Sequence, residues 1–215
     1  MSRPFHMRWQ LVNLMAQTLG HRTYLEIGCR GVKVGECFNK VLIHTMKHGV
    51  DPQPMEHEEY PGDNVVLHEM TSDQFFTTML RQLTFDTIFI DGLHTSAQVM
   101  KDVRNSLLRL NDGGAIICHD CNPRHSHMQR TGRNGTCWQA IVELRCTALD
   151  VDVCVINADQ GLAVIRKRDE LRTVPALQIT NKDWRSWLWF KKNREHALNL
   201  QSVQQFNTWF WNQGR

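Results

Sequence analysis

The segment TIFI (87–90) is apolar on both faces and stops at Asp91-Gly92, as a strand buried on both sides of a parallel sheet must. AIIC (115–118) repeats the pattern and stops at His119-Asp120. Between them Val99, Val103, Leu107 and Leu110 recur at helical spacing and run into the turn NDGG, so the unit reads strand, helix, strand. The alternation starts earlier: Trp9, Val12, Leu14 and Met15 predict a leading helix ending at Gly20, and TYLEI (23–27) is a first strand. Phe38, Val41, Leu42 and Met46 space a second helix, HGVDP closes a second strand on Asp51, and NVVLHEM (64–70) is a third. Thr71 or Ser72 can cap the helix that holds Phe75, Phe76 and Leu80. Trp138, Ile141, Val142 and Leu144 space a further helix, after which VDVCVI (151–156) and LAVIR (162–166), joined by NADQG, predict an antiparallel hairpin. The class is therefore α/β with a mostly parallel sheet.

At 215 residues and 41% hydrophobic content the chain can bury one sizeable core. The expected division is a domain over 1–170 and a helical C-terminal extension over 171–215. Five of the seven tryptophans (184, 187, 189, 209 and 211) lie in that extension. They either pack on the parent domain or form a surface for a homodimer or another partner. A formal charge of +3 is too even a balance to favour a nucleic-acid partner. The seven cysteines are odd in number and lack the spacing of a disulfide framework, which points to a reduced, cytoplasmic setting. No stretch approaches the ~18 apolar residues of a membrane span, and the first residues lack a signal-peptide core.

In an open parallel sheet, ligands bind beyond the carboxyl ends of the strands. The residues there are Glu26-Ile-Gly28-Cys-Arg-Gly31, Asp51-Pro, Asp91-Gly-Leu-His94 and His119-Asp120. Gly28 and Gly31 leave a turn open to close ligand approach, but Arg30 breaks the G-x-G-x-x-G pattern, which disfavours a nicotinamide cofactor. Asp51 is placed to accept from a ribose diol, although an Asp before Pro is also an ordinary turn former. Asp91, His94, His119 and Asp120 leave neighbouring strands at one edge, and these residue types bind divalent ions or accept protons near neutral pH. A plainer account has Asp91 capping the next turn and His119 satisfied in the core.

Leu25 to Gly28 (LEIG), Gly49 to Pro52 (GVDP), Met70 to Phe76, Phe85 to His94 (FDTIFIDGLH) and Gly113 to Asp120 occur in an order that resembles class I S-adenosylmethionine-dependent methyltransferases. The likeness is to the small-molecule and sugar O-methyltransferase group. It implies a Rossmann-like, doubly wound, seven-stranded sheet with an antiparallel hairpin at the end. It also implies that Glu26, Gly28 and Gly31 line the methionine side of the cofactor, Asp51 holds the ribose, and Ser72 and Asp73 lie near the adenine, with Asp91 also at the cofactor. Carried over, His94 is the base, and Asp91, Asp120 and the more ambiguous His119 are ligands for magnesium. Arg30 departs from the small residue many relatives carry and could pair with the cofactor carboxylate. The expected activity is methyl transfer to a hydroxyl of a small molecule or sugar. A metal-dependent hydrolase on the same groups, or a noncatalytic scaffold using the Trp-rich tail, are the rival readings.

Cys118 and Cys121 form a lone C-x-x-C without a second pair at zinc spacing, and Cys118 reads as strand interior. The basic segment 123–137 is either a substrate lid or a solvated insertion.

Overall fold

A computed structural model of the chain describes residues 5–29, 37–43, 45–53, 64–130, 132–148, 150–168 and 177–213. Helix α1 (Arg8–Leu19) ends at Gly20, whose φ of 71° gives the left-handed cap that stops it. Then follow β1 (Thr23–Ile27), the short α2 (Cys37–Lys40), β2 (Met46–Asp51), β3 (Val65–Glu69), α3 (Ser72–Thr78), β4 (Phe85–Ile90), α4 (Ser96–Leu107) and β5 (Leu110–Cys118). The chain closes with α5 (Cys137–Thr147), β6 (Val151–Ile156), β7 (Leu162–Lys167), α6 (Trp187–Leu198), β8 (Leu200–Gln201) and α7 (Val203–Gln213).

The strands form one sheet in the order β3-β2-β1-β4-β5-β7-β6-β8. β1 pairs in parallel with both β2 and β4, so the strand order reverses there and opens a crevice at the carboxyl ends. β7 runs antiparallel to both β5 and β6, as the hairpin reading anticipated. The eighth strand, β8, comes from the extension and lies parallel to β6.

Both faces of the central strands are covered, which is why Ile88 to Ile90 of β4 and Ala115 to Cys118 of β5 are continuous apolar runs rather than alternating. Ile88 and Ile90 of β4 face one cluster with Val99, Val103, Trp138 and Ile141, while Phe89 between them faces another with Leu11, Val12, Met15 and Phe38. Each such fully buried side chain contributes about 1.5–3 kcal/mol.

Three element boundaries differ from the sequence expectation. Met46 begins β2 instead of continuing a helix, because Lys47 beside it donates to the carbonyls of Phe38 and Val41 and so ends α2 after one turn. Leu110 begins β5, and NDGG lies within that strand as an irregular step opposite β4, where the register shifts between Phe85 and Thr87. Gly114 is required there, since a Cβ would come 2.7 Å from the Asp86 carbonyl. Thr71 caps α3, accepting from the Gln74 backbone N–H, and the helix ends before Leu80, which is exposed.

The extension packs on the parent domain. Phe190 of α6 stacks on the fully buried Trp138 with centroids 4.1 Å apart, and Trp184 meets the same indole edge-on at 6.3 Å. Trp187 and Trp189 are partly buried against the same core, while the side chains of Trp209 and Trp211 lie outside the described residues. Among the described residues no helix is long and apolar enough to cross a membrane.

Candidate active site at the sheet edge

The carboxyl ends of β1, β4 and β5 are tied together laterally. The Asp91 N–H donates to the Ile27 carbonyl at 2.8 Å, and the His119 N–H to the Ile90 carbonyl at 3.0 Å. Gly28 has φ 85°, and a Cβ there would lie 2.2 Å from the Asp91 carbonyl oxygen. Its glycine therefore serves the close approach of two strand ends, whatever else it does. Gly31 and Arg30 lie outside the described residues.

Asp91 is the hub of the cluster. Its Oδ1 is 3.1 Å from His94 Nε2 and 3.1 Å from His119 Nδ1, while its Oδ2 accepts from the Arg8 guanidinium at 3.3 Å. Burial alone would raise this carboxyl, but the His119 charge and the bonds from both histidines hold it well below the usual range. His94 reaches the other carboxylate too, with Nδ1 3.2 Å from Asp120 Oδ2 and in close contact with the Arg133 carbonyl. A carbonyl and an ionised carboxylate only accept, so Nδ1 carries a proton and Nε2 carries one when it bonds to Asp91; in the neutral ring Nε2 is the nitrogen that takes up that proton or a cation. The hydrogen bond to Asp91 leads the groups that raise the His94 pKa.

His119 is almost fully buried, which lowers its pKa, but Asp91, Asp159 and Asp120 around it lift it to about 10. Arg8 Nη1 stands 2.8 Å from both of its ring nitrogens. Asp120 follows with φ 60°, a conformation Asp tolerates better than most residues. Its Oδ1 is buried without a hydrogen-bond partner, and burial raises its pKa. Asp91, His94 and Asp120 each offer one ligand atom, all within 4.8 Å of one another. His119 is instead shared between Asp91, Arg8 and Asp159.

Segment 123–137 is docked on this corner. The Thr136 N–H donates to the His94 carbonyl at 2.9 Å, and the buried Asn134 amide reaches the Asp120 and Gln160 carbonyls, each at 3.3 Å. Position 135 requires glycine, since its φ is 54° and any Cβ would overlap the His94 carbonyl oxygen.

The other expected residues sit at the ends of β1, β2 and β3, on the far side of the strand-order reversal. Glu26 is buried and accepts from Tyr24 Oη at 2.5 Å; burial lifts its pKa to about 8 against that bond. Asp51 is buried at the end of β2 and accepts from the Gln53 N–H. Ser72 and Asp73 open α3, where Gln98 Nε2 donates to Ser72 Oγ at 3.2 Å and Asp73 Oδ1 at 3.1 Å. The structure thus gathers Asp91, His94, His119 and Asp120, and places Glu26, Gly28, Asp51, Ser72 and Asp73 at or just after neighbouring strand ends.

Sequence reasoning missed Arg8 and Asp159. Asp159 lies just beyond the carboxyl end of β6, where the strand-end rule would have found it. Arg8 carried no signal, since a helix-opening arginine is ordinary.

Residues 25–121 match a family model described as a methyltransferase domain. None of the curated proteins is a significant match. Among solved structures, the chain is similar to the SAH-bound Podospora anserina methyltransferase PaMTH1, with 20% identity, 75% of this chain and 78% of that one covered, and a TM-score of 0.58. It is similar to the O-methyltransferase TomG from Streptomyces achromogenes, solved with SAM and involved in tomaymycin synthesis, with 15% identity, 74% and 78% coverage, and a TM-score of 0.55. It also resembles the N-methyltransferase NodS from Bradyrhizobium japonicum, with 18% identity, 74% and 93% coverage, and a TM-score of 0.52. At these identities the likeness is one of fold.

Proposed function

We propose that this chain, whose residues 25–121 match a methyltransferase-domain model, transfers a methyl group from S-adenosylmethionine to a hydroxyl of a small molecule or sugar. The carrying observation is the Asp91–His94–Asp120 cluster, held by backbone bonds beside the Gly28 turn at the reversal of strand order. TomG is an O-methyltransferase and NodS an N-methyltransferase on this fold, so the choice of oxygen rests on the cluster and not on the likeness.

The bound cofactor would supply a sulfonium methyl, already a good electrophile. The work of this chain is then to align the acceptor oxygen and take its proton. Glu26, Gly28, Asp51, Ser72 and Asp73 are the proposed cofactor contacts, with Gly31 expected beside them and Asp91 at the junction. Glu26 and Asp51 fit the role as buried acceptors at strand ends. His94 is the proposed base through Nε2, with Asp91 orienting the ring and stabilising the imidazolium.

Magnesium would be held by Asp91 and Asp120, with His119 as the third expected ligand, and would lower the hydroxyl pKa. The Oδ1 of Asp120, buried without a hydrogen bond, and the oxygen-rich donor set fit such an ion. A second reading makes His94 a ligand instead of a base, favoured by its ligand atom lying within 4.8 Å of those of Asp91 and Asp120.

Calorimetry with S-adenosylhomocysteine tests the cofactor, and methyl transfer to paired hydroxyl and amine acceptors, with and without chelator, tests the chemistry. Absence of S-adenosylhomocysteine binding would sink the reading and favour the hydrolase or scaffold rivals.

A further inference from the structure

Arg8 joins three chain segments at the candidate site. Its guanidinium lies 3.3 Å from Asp91 Oδ2 after β4 and 2.8 Å from both His119 ring nitrogens after β5. Its backbone N–H donates at 2.9 Å to Asp159 Oδ2 in the β6–β7 turn. The first turn of a helix has no internal partners for its N–H groups, so this turn stays in place only if something outside the helix holds it. Gln10 supplies a local cap, its side chain accepting from the His6 and Met7 N–H groups, and Asp159 is the partner from elsewhere in the chain. A further anchor is Phe5, three residues before Arg8 and 2% exposed, whose ring meets Phe206 of α7 edge-on at 6.1 Å. Phe206 in turn stacks on Phe210 with centroids 5.5 Å apart, and both are buried in the cluster that holds Leu11, Val12 and Met15 of α1.

We propose that α7 is a positioning element for the candidate site, acting through the Phe206–Phe5 contact to hold Arg8 against Asp91 and His119. The inference rests on the reading of Asp91 as a reaction-site residue. Arg8 occupies Oδ2 of Asp91 and leaves Oδ1 to the two histidines, so while Arg8 stays in place it competes with any other cation for Asp91. Removing the Phe206 ring strips Phe5 of its aromatic partner and frees the first turn of α1 to fray, while the sheet keeps its own contacts. The tail is then a part of the site machinery rather than a remote packing unit.

The test is a double-mutant cycle of Arg8→Gln, Phe206→Ala and the combined variant, with two readouts that need no acceptor. In hydrogen exchange, Phe206→Ala should speed amides of residues 5–12 at least tenfold while β4 and β5 stay protected; unchanged exchange over 5–12 overturns the proposal. In Mn2+ titration followed by paramagnetic resonance, Arg8→Gln should tighten binding about tenfold by removing a competing cation from Asp91. Phe206→Ala should tighten it in the same direction, and the combined variant no further. A merely structural helix would weaken Mn2+ binding or leave it alone on truncation of Phe206, and that result overturns the proposal. Phe206→Leu, which keeps most of the buried volume, should restore slow exchange over 5–12. Phe5→Ala removes the other half of the contact and repeats the test should Phe206→Ala fail to fold. If neither wild type nor Arg8→Gln binds Mn2+, the metal part of the functional reading fails and hydrogen exchange alone decides the coupling.

Discussion

Nε2 of His94 stands 3.1 Å from Oδ1 of Asp91, and the opposite ring nitrogen is fixed on the Arg133 carbonyl. One nitrogen is thereby committed as a donor, and the other is the nitrogen that can take a proton. His94→Ala should lower methyl-transfer turnover by roughly two to four orders of magnitude and leave S-adenosylhomocysteine affinity nearly intact. Because its partners raise the His94 pKa above 6.5, the acid limb of the wild-type rate profile should lie above that pH. Near-normal turnover in His94→Ala would remove this residue from the chemistry.

The legible part of the fold was the part governed by burial on both faces. TIFI and AIIC announced central strands because every position in them must be apolar, and the structure places Ile88, Phe89, Ile116 and Ile117 in the core. Met46 and Leu110 were misplaced because spacing cannot distinguish an apolar residue that ends a helix from one that starts the next strand. What decided those cases was distant in sequence: the Lys47 ammonium on α2 carbonyls, and the Asp86 carbonyl crowding Gly114. The Asp and His residues of the site were visible from their strand ends. Arg8 was not, and its pairing with Asp159, itself findable from the end of β6, depends on how α1 and the hairpin turn pack, over a separation of 151 residues.

Glu26 gives a prediction about stability and pH. Burial lifts its pKa from 4.5 to about 8, so the folded protein holds a proton that the unfolded chain releases. The native state therefore binds more protons between those values, and stability falls as pH rises from about 4.5 to 8. Glu26→Gln keeps an acceptor for Tyr24 and has no charge to bury. Denaturant melts at pH 5 and pH 9 should show this variant with a flatter pH dependence and greater stability than wild type at the higher pH. A variant less stable than wild type at pH 9 contradicts the assigned shift.

Asp51 is buried at the end of β2, beside the reversal of strand order. If it holds the ribose, Asp51→Ala should weaken S-adenosylhomocysteine binding by about 1–3 kcal/mol through loss of charge-assisted hydrogen bonds. Calorimetry reads this directly, and an unchanged affinity places the ribose elsewhere.

Phe190 and Trp138 stack at 4.1 Å, joining α6 to the core of the parent domain. Phe190→Ala should cost about 3–5 kcal/mol, the range for deleting a buried aromatic ring, and lower the melting temperature. Light scattering on the same variant addresses the homodimer expectation: a change in mass would mean that this face also supports self-association.

Asp120 offers the sharpest test of metal assistance, because its backbone and its side chain make separate demands. Its φ of 60° is one that Asn also adopts readily, so Asp120→Asn removes the charge without straining the turn. Oδ1 makes no hydrogen bond, with His119 Nδ1 3.6 Å away, and burial raises the pKa, so the neighbouring histidines compensate the ionised carboxylate only in part. In metal-free protein the melting temperature of Asp120→Asn should therefore equal or exceed that of wild type. With magnesium or manganese added, wild type should gain stability by mass action, while the variant should need at least a tenfold higher metal concentration for the same gain. Chelator should abolish wild-type turnover and magnesium restore it, and Asp120→Asn should raise the magnesium requirement. Turnover indifferent to chelator, together with no metal-dependent stabilisation of wild type, would leave a metal-free mechanism in which Asp120 acts only through its 3.2 Å contact with His94.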